Sequence, residues 1–167
     1  MKEKKTNAVR ILETMKIPYR LHTYEVDPDN LAAGHIAETL GQPIERVYKT
    51  IVLRGNKTGP IVCVVAGCNE VDLKKAAKIS GNKSVEPLPL KELLPTTGYI
   101  RGGCTAIGMK KRFPTYVSEE LTYHDTIFVS AGQRGMQIEL TPADYLKATG
   151  AIPSDLISRT DNESELL

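Results

Sequence analysis

The sequence predicts a single α/β domain of the α+β kind: a mixed, mainly antiparallel, barrel-like sheet with helices packed outside it. Three observations carry this prediction. Short β-branched runs bounded by Gly, Pro, Asn or Asp recur along the chain, as strands of a small sheet do. Segments of helical period lie between them. The two kinds of element do not alternate in the regular βαβ order that builds a parallel sheet. At 167 residues, 41% hydrophobic and 25% charged, the chain is long enough to bury a core, and no composition shift marks a linker. One domain over 1–158 is expected, followed by a flexible tail over 159–167.

From the N-terminus, Val9, Ile11, Leu12 and Met15 fall near one face of a helix within Thr6–Lys16, ahead of Pro18. Arg20–Glu25 alternates as a strand, sending His22 and Tyr24 to one face and Thr23 and Glu25 to the other. Leu31–Leu40 reads as a short helix closed by Gly41. Arg46–Leu53 and Pro60–Ala66 are β-branched runs on either side of the turn Gly55–Gly59, which makes them a hairpin. Asp72 is an N-cap for a helix over Leu73–Ser80 that Gly81 ends. Pro87–Leu94 predicts a further short helix, with Pro95 as its stop. Phe113–Val117, Thr126–Ser130 and Met136–Leu140 are three more strands, and Thr141 with Pro142 opens a last helix closed by Gly150.

Composition narrows the function classes. Cys63, Cys68 and Cys104 are odd in number and lack CxxC spacing, which argues against a disulfide framework and against a zinc site; a reducing cytoplasm is expected, with no metal and no cofactor. The N-terminal MKEKKTN lacks the apolar core of a secretory signal, and no window reaches a membrane-spanning length. A net charge of +2 does not by itself identify a nucleic-acid binder. The distribution says more: cations gather at Lys2, Lys4 and Lys5, at Lys74, Lys75 and Lys78, and at Lys110, Lys111 and Arg112, while acids gather in Asp161–Glu165.

Four stretches could carry chemistry. In Thr97–Arg112, glycines and small side chains run into three consecutive cations, a composition that lets backbone amides approach an anion; a surface turn is the plain alternative. Lys49 interrupts an otherwise apolar strand, so it either points outward or has a partner that needs its charge. His22–Glu25 places imidazole, hydroxyl, phenol and carboxylate on one strand, and Val129–Gly135 is a second glycine-containing turn. No GxSxG, HExxH or GxxxxGK[ST] occurs, which removes the common hydrolase elbow, zincin and P-loop readings. Cys104, beside cations, is a candidate nucleophile without a histidine near it in sequence.

Taken together, HTYE (22–25), VYKT (47–50), DLKKAAK (72–78), TGYIRGGCTAIGMKKRFPT (97–115) and VSAGQRGMQIEL (129–140) resemble the YbaK/EbsC family of aminoacyl-tRNA editing proteins, which includes deacylases of Cys-tRNA(Pro) and is related to the editing insertion of bacterial prolyl-tRNA synthetases. The resemblance implies a compact α/β editing-domain fold and cleavage of the ester joining a misattached amino acid to the 3′ end of tRNA. It implies that Lys49 is the essential side chain, with Gly102 and Gly103 framing the ester carbonyl as catalytic partners. Tyr24, Thr50, Cys104, Thr105, Ser130 and Gln137 would contact the aminoacyl end. Lys74, Lys75, Lys78, Lys110, Lys111 and Arg112 would meet the tRNA backbone. In Cys-specific relatives the substrate's own thiol is thought to attack the ester and form a thiolactone, and a transient complex with prolyl-tRNA synthetase is implied as well. The chain departs from the family pattern twice: Thr105-Ala106 replaces Ser-Pro, and Gln137 stands where an aspartate is common. Both bear on which amino acid is edited. They also keep open a second class, a catalytically weak module that binds aminoacyl-tRNA or another anion and regulates a partner.

Overall fold

The computed structural model describes residues 5–159. Lys2, Lys4, the acidic run Asp161–Glu165 and, apart from Arg159, the expected tail lie outside the described residues.

Helix α1 (Asn7–Thr14) starts where Thr6 accepts the Val9 N–H at 3.2 Å, and it buries Ala8, Val9 and Leu12. Strand β1 (Arg20–Thr23) follows, with His22 and Tyr24 less exposed than Thr23 and Glu25, as alternation requires. Helix α2 spans Ala33–Leu40, two residues shorter than expected at its start, where no side chain caps it. Strands β2 (Tyr48–Gly55) and β3 (Gly59–Ala66) form the expected hairpin, in register from Tyr48↔Ala66 to Gly55↔Gly59. Asn82 braces its turn: Oδ1 accepts from the Lys57 and Thr58 N–H groups at 2.9 and 3.0 Å, and Gly55 supplies the room for the amide.

Helix α3 (Leu73–Ser80) is capped by Asp72, which accepts from Lys74 N–H and Lys75 N–H. The chain then forms a short strand, β4 (Val85–Pro87), that the sequence reading missed, followed by α4 (Leu90–Thr97). Pro95 does not stop α4. It lies in the last turn, where its missing N–H forfeits one bond, and the helix ends at Gly98, whose N–H donates to Leu94 O at 2.8 Å. Strands β5 (Thr115–Ser118), β6 (Ile127–Ser130) and β7 (Met136–Leu140) precede α5 (Pro142–Thr149), which Thr141 caps, and a short edge strand, β8 (Ile152–Ser154).

Among the described residues the strands form two sheets, β1-β7-β6 and β4-β2-β3-β5-β8. The pairings β1–β7, β6–β7, β2–β3 and β2–β4 are antiparallel, while β3–β5 and β5–β8 are parallel. The arrangement is therefore mixed and mainly antiparallel. The sheets are not closed into a barrel: among the described residues β6 pairs toward the larger sheet only through an isolated parallel bridge to Val47, the residue before β2 (Val47↔Phe128). The largest apolar cluster packs Val62, Val64, Val129, Ile138 and Leu140 against Val9 and Leu12 of α1 and Tyr145 of α5. A second cluster places Leu53, Ile61, Cys63 and Val65 beneath Ala76 and Ala77 of α3, and a third seats α2 on Phe128.

Beside Phe128, Glu139 fastens the small sheet to the segment that leads into β2. It accepts from Thr126 Oγ1 at 2.5 Å, meets His22 Nε2 at 2.9 Å and Arg46 at 3.4 Å, and Arg46 lies over the Phe128 ring. Burial works to raise the Glu139 carboxyl, but the bonds from Thr126 and His22 and the charge of Arg46 outweigh it and hold the group below its ordinary value. This polar clamp ties the small sheet to the segment that leads into β2, and a cleft opens beside that segment.

Candidate functional site

The cleft encloses about 670 Å³. Its floor is the edge of β2 from Val47 to Val52; one wall is the end of the small sheet, with Ser130 and Gln137, and the glycine loop, with Arg101, Gly102 and Cys104. The facing walls are the segment Asp29–Gly34 that leads into α2 and the apolar stretch Leu88, Leu90 and Leu93. This edge is open because β4 pairs with β2 only at Leu53–Gly55.

Lys49 lies on β2 with its side chain 25% exposed. Its Nζ stands 3.4 Å from both Gly67 O and Glu70 Oε1, at the long limit of a hydrogen bond. Glu70 is itself largely exposed, so this ion pair binds the ammonium weakly and leaves it available to a ligand. Ser130 Oγ accepts from Gly132 N–H at 3.2 Å, which leaves the hydroxyl hydrogen to turn into the cleft. Gln137 pairs across the sheet with Ser130 on one side and His22 on the other. It is buried, lines the cleft, and its Oε1 has no hydrogen-bond partner. A buried acceptor left unsatisfied by the protein is the mark of a position that a ligand or water completes.

The glycine loop is built by packing. Tyr99 Oη donates to Ile107 O at 2.5 Å and so ties the loop's two ends together. Gly102 has φ +84°, the left-handed region that favours glycine. Gly103 is needed for a different reason: a Cβ there would stand 3.0 Å from Gln133 Cα and 3.2 Å from Arg134 N, so its hydrogen side lets two backbones touch. Its N–H donates to Ile100 O at 3.0 Å, closing a turn. Burial pushes the Cys104 thiol up to about 12, and a neutral thiol is a poor nucleophile.

Lys49, Thr50, Gly102, Cys104, Ser130 and Gln137 thus come together in one cleft. Other expected site residues do not line it. Tyr24 packs against the Phe128 cluster, and Thr105 is fully buried in the loop, with its hydroxyl 3.4 Å from Ile107 N–H. Gly103 is buried behind the cleft wall, its amide already engaged. The basic residues stand apart from the cleft. Lys74 and Lys78 project from α3, and Lys75 is occupied by Asp155 and Ile157 O at 3.0 and 2.9 Å. Lys110 runs along Gly98, and Arg112 reaches Gly150 beside a shallow depression near Ile152. Sequence reasoning missed Arg101 at the cleft wall, Asp29–Gly34 and the leucine wall; the free N-terminus of α2 could have been suspected from the absence of Ser, Thr, Asp or Asn at Ala32.

Among the described residues no group of His, Cys, Asp and Glu is placed to hold a metal ion, and no helix is long and apolar enough to cross a membrane.

Comparison with known proteins assigns the family. Residues 28–148 match the family model of the aminoacyl-tRNA editing domain, and the chain belongs to that family. A protein of Enterococcus faecalis named as a candidate Cys-tRNA(Pro)/Cys-tRNA(Cys) deacylase, EbsC, is 55% identical over 147 residues, covering 88% of this chain and 90% of its own. The Bacillus subtilis protein YwhH, which carries no functional name, is 31% identical over 72% of this chain and 76% of its own. The crystal structure of a candidate trans-editing enzyme for prolyl-tRNA synthetase superposes with a TM-score of 0.79 at 25% identity, over 94% of this chain and 100% of that one.

Proposed function

We propose that this protein is a trans-acting aminoacyl-tRNA deacylase that removes a misattached amino acid, cysteine on tRNA(Pro) first among them. The observation that carries the reading is the cleft's chemistry. It offers a loosely held ammonium, a hydroxyl and an unpartnered buried carbonyl oxygen, but its one cysteine is held protonated. Such a site orients an activated ester and stabilises its charge without forming a covalent enzyme intermediate.

In this reading the ester enters with its ribose toward Lys49, whose ammonium holds the terminal sugar or phosphate, while Ser130, Gln137, Thr50 and Cys104 surround the aminoacyl group. Tyr24, Thr105 and Gly103 act from behind the wall as supports. With cysteine as the amino acid, the substrate's thiol attacks its own carbonyl carbon: a C–S bond forms, the ester C–O bond breaks, and the thiol proton passes to the departing 3′ oxygen. The products are a cyclic thiolactone and free tRNA. Arg101 meets the acceptor end at the mouth, and Lys74, Lys78, Lys110, Lys111 and Arg112 act at longer range through phosphate attraction. The enzyme works in the cytoplasm and meets prolyl-tRNA synthetase transiently, catching the product as it is released.

The test is deacylation of Cys-, Ala- and Ser-tRNA(Pro), with the released product identified by mass. Faster loss of Cys-tRNA(Pro) than of the other two, with thiolactone released, is expected. Free cysteine as the first product would replace the thiolactone route with hydrolysis, and spontaneous rates for all three esters would end the deacylase reading.

A further inference from the structure

The floor of the cleft contains a main-chain site. Even-numbered residues of β2 turn their N–H and C=O groups away from β3. Val52 O accepts from Leu88 N–H at 3.1 Å, and beyond the strand Asn56 N–H donates to Ser84 O at 3.1 Å, both on the β4 side. The odd-numbered Val47 faces the other way, its carbonyl accepting from Gly67 N–H at 2.7 Å. Thr50 shares the parity of Val52 and stands in register with Val64 of β3, so its N–H and C=O face the open side. On that side β4 ends at the Leu53↔Pro87 pair, and among the described residues β6 pairs with the segment only at Val47↔Phe128. Between these two contacts no strand among the described residues pairs with Thr50 on its open side, and Thr50 lines the cleft. The strand therefore carries one vacant pairing position, with a donor and an acceptor both aimed at the ligand space.

We propose that this vacancy takes the aminoacyl group itself as a one-residue β-strand partner. The assignment rests on the deacylase reading above. An amino acid esterified through its carboxyl still carries the N–Cα–C=O sequence of a strand residue. Set opposite Thr50 in hydrogen-bonded antiparallel register, its α-ammonium donates to Thr50 O, and its ester carbonyl accepts from Thr50 N–H. The same N–H then points at the oxygen on which negative charge gathers as the ester carbonyl is attacked. It joins or replaces the oxyanion donors that the sequence resemblance gave as Gly102 and Gly103; the Gly103 N–H is committed to Ile100 O. Cross-strand partners share a face, so the substrate side chain lies beside the Thr50 hydroxyl. Recognition of this kind reads the α-amino acid skeleton whatever the side chain, and leaves discrimination between amino acids to the surrounding walls.

Thr50→Pro tests the donor. The substitution removes an N–H that the β2–β3 ladder does not use, at an edge position facing the cleft, where proline is tolerated, and after a residue already extended. Thr50→Val keeps the N–H and removes the hydroxyl. With Cys-tRNA(Pro), kcat of Thr50→Pro is expected at least about tenfold below that of Thr50→Val and about 100-fold below wild type, the size of effect seen when one oxyanion donor is lost. Equal rates for the two variants, with both folded by circular dichroism, overturn the assignment. The acceptor is tested on wild type with 3-mercaptopropionyl-tRNA(Pro), which keeps the thiol and lacks the α-ammonium, each rate divided by its spontaneous rate. KM is expected to rise about tenfold or more. An unchanged KM overturns the assignment, and this arm decides the matter if Thr50→Pro does not fold. Activity on the aminoacyl ester with neither effect refutes the edge site alone, whereas no activity on any ester refutes the deacylase reading beneath it.

Discussion

Replacing Gly103 by alanine separates two accounts of the glycine loop. If Gly103 served mainly through its amide, a methyl group would be tolerated, because the N–H remains. The structure predicts otherwise. The added Cβ would stand 3.0 Å from Gln133 Cα, 3.1 Å from Gln133 C and 3.2 Å from Arg134 N, and these are backbone atoms that cannot swing aside. The loop and the Gln133–Arg134 turn must part by a few tenths of an ångström or more, and inserting a methyl into such a contact costs about 1–3 kcal/mol. For a domain of this size that lowers the melting temperature by about 3–10 °C. Gly102 and Cys104 flank the wedge and line the cleft, so the same shift moves the wall and lowers deacylation. Gly102→Ala differs in origin: its cost, about 1–2 kcal/mol, comes from φ +84°, since the nearest atoms are the flexible ends of Leu31 and the Arg134 side chain. The assay is thermal unfolding by circular dichroism alongside Cys-tRNA(Pro) deacylation. A melting temperature for Gly103→Ala within 1 °C of wild type, with full activity, would refute the packing argument.

Three further outcomes follow from the site. Because the Glu139 carboxyl is held below its ordinary value of 4.5, its contribution to stability is present above that pH and is lost as pH falls through the lowered value; thermal melts should show wild type and Glu139→Gln converging in acid, and a stability gap that persists unchanged to pH 3 contradicts the clamp. Cys104→Ser should slow deacylation by less than about tenfold, because the thiol is held neutral by burial, whereas loss of a covalent nucleophile would abolish turnover. Arg101→Ala, at the cleft wall, should weaken tRNA binding and reduce the slope of log affinity against log salt by about one; Lys75→Ala, whose ammonium is already occupied by Asp155 and Ile157, should change the slope far less, and the reverse order would move the RNA path to α3.

Local signals made the hairpin, the capped helices and the strands of the small sheet legible in the sequence. Asp72 and Thr141 announce their helices because capping is a short-range bond, and the β2–β3 register follows from β-branched runs meeting at a turn. Strands β4 and β8 were hidden because three residues carry no period; each exists only because a longer strand lies beside it. Pro95 misled for the same reason, since a proline in a last turn costs one bond and tertiary packing outweighs it. At the site, motif resemblance brought out Lys49, Thr50, Ser130 and Gln137, which do converge. It could not say which motif residues face the ligand and which support the wall: Tyr24 and Thr105 lie in conspicuous motifs, yet their side chains point into packing. Arg101 and Asp29–Gly34 sit in the cleft through the fold alone, and the open side of β2 at Thr50 is a property of where β4 stops.

If this cleft cleaves aminoacyl-tRNA with Lys49 as its principal cation, removing that cation must slow the reaction. The direct measurement is the deacylation rate of Cys-tRNA(Pro) with wild type and Lys49→Ala under single-turnover conditions. Wild-type cleavage well above the spontaneous rate is expected, with a fall of about 100-fold in the variant and its melting temperature retained. Active wild type with an equally fast Lys49→Ala would contradict the role of Lys49, and inert wild type would contradict the deacylase itself.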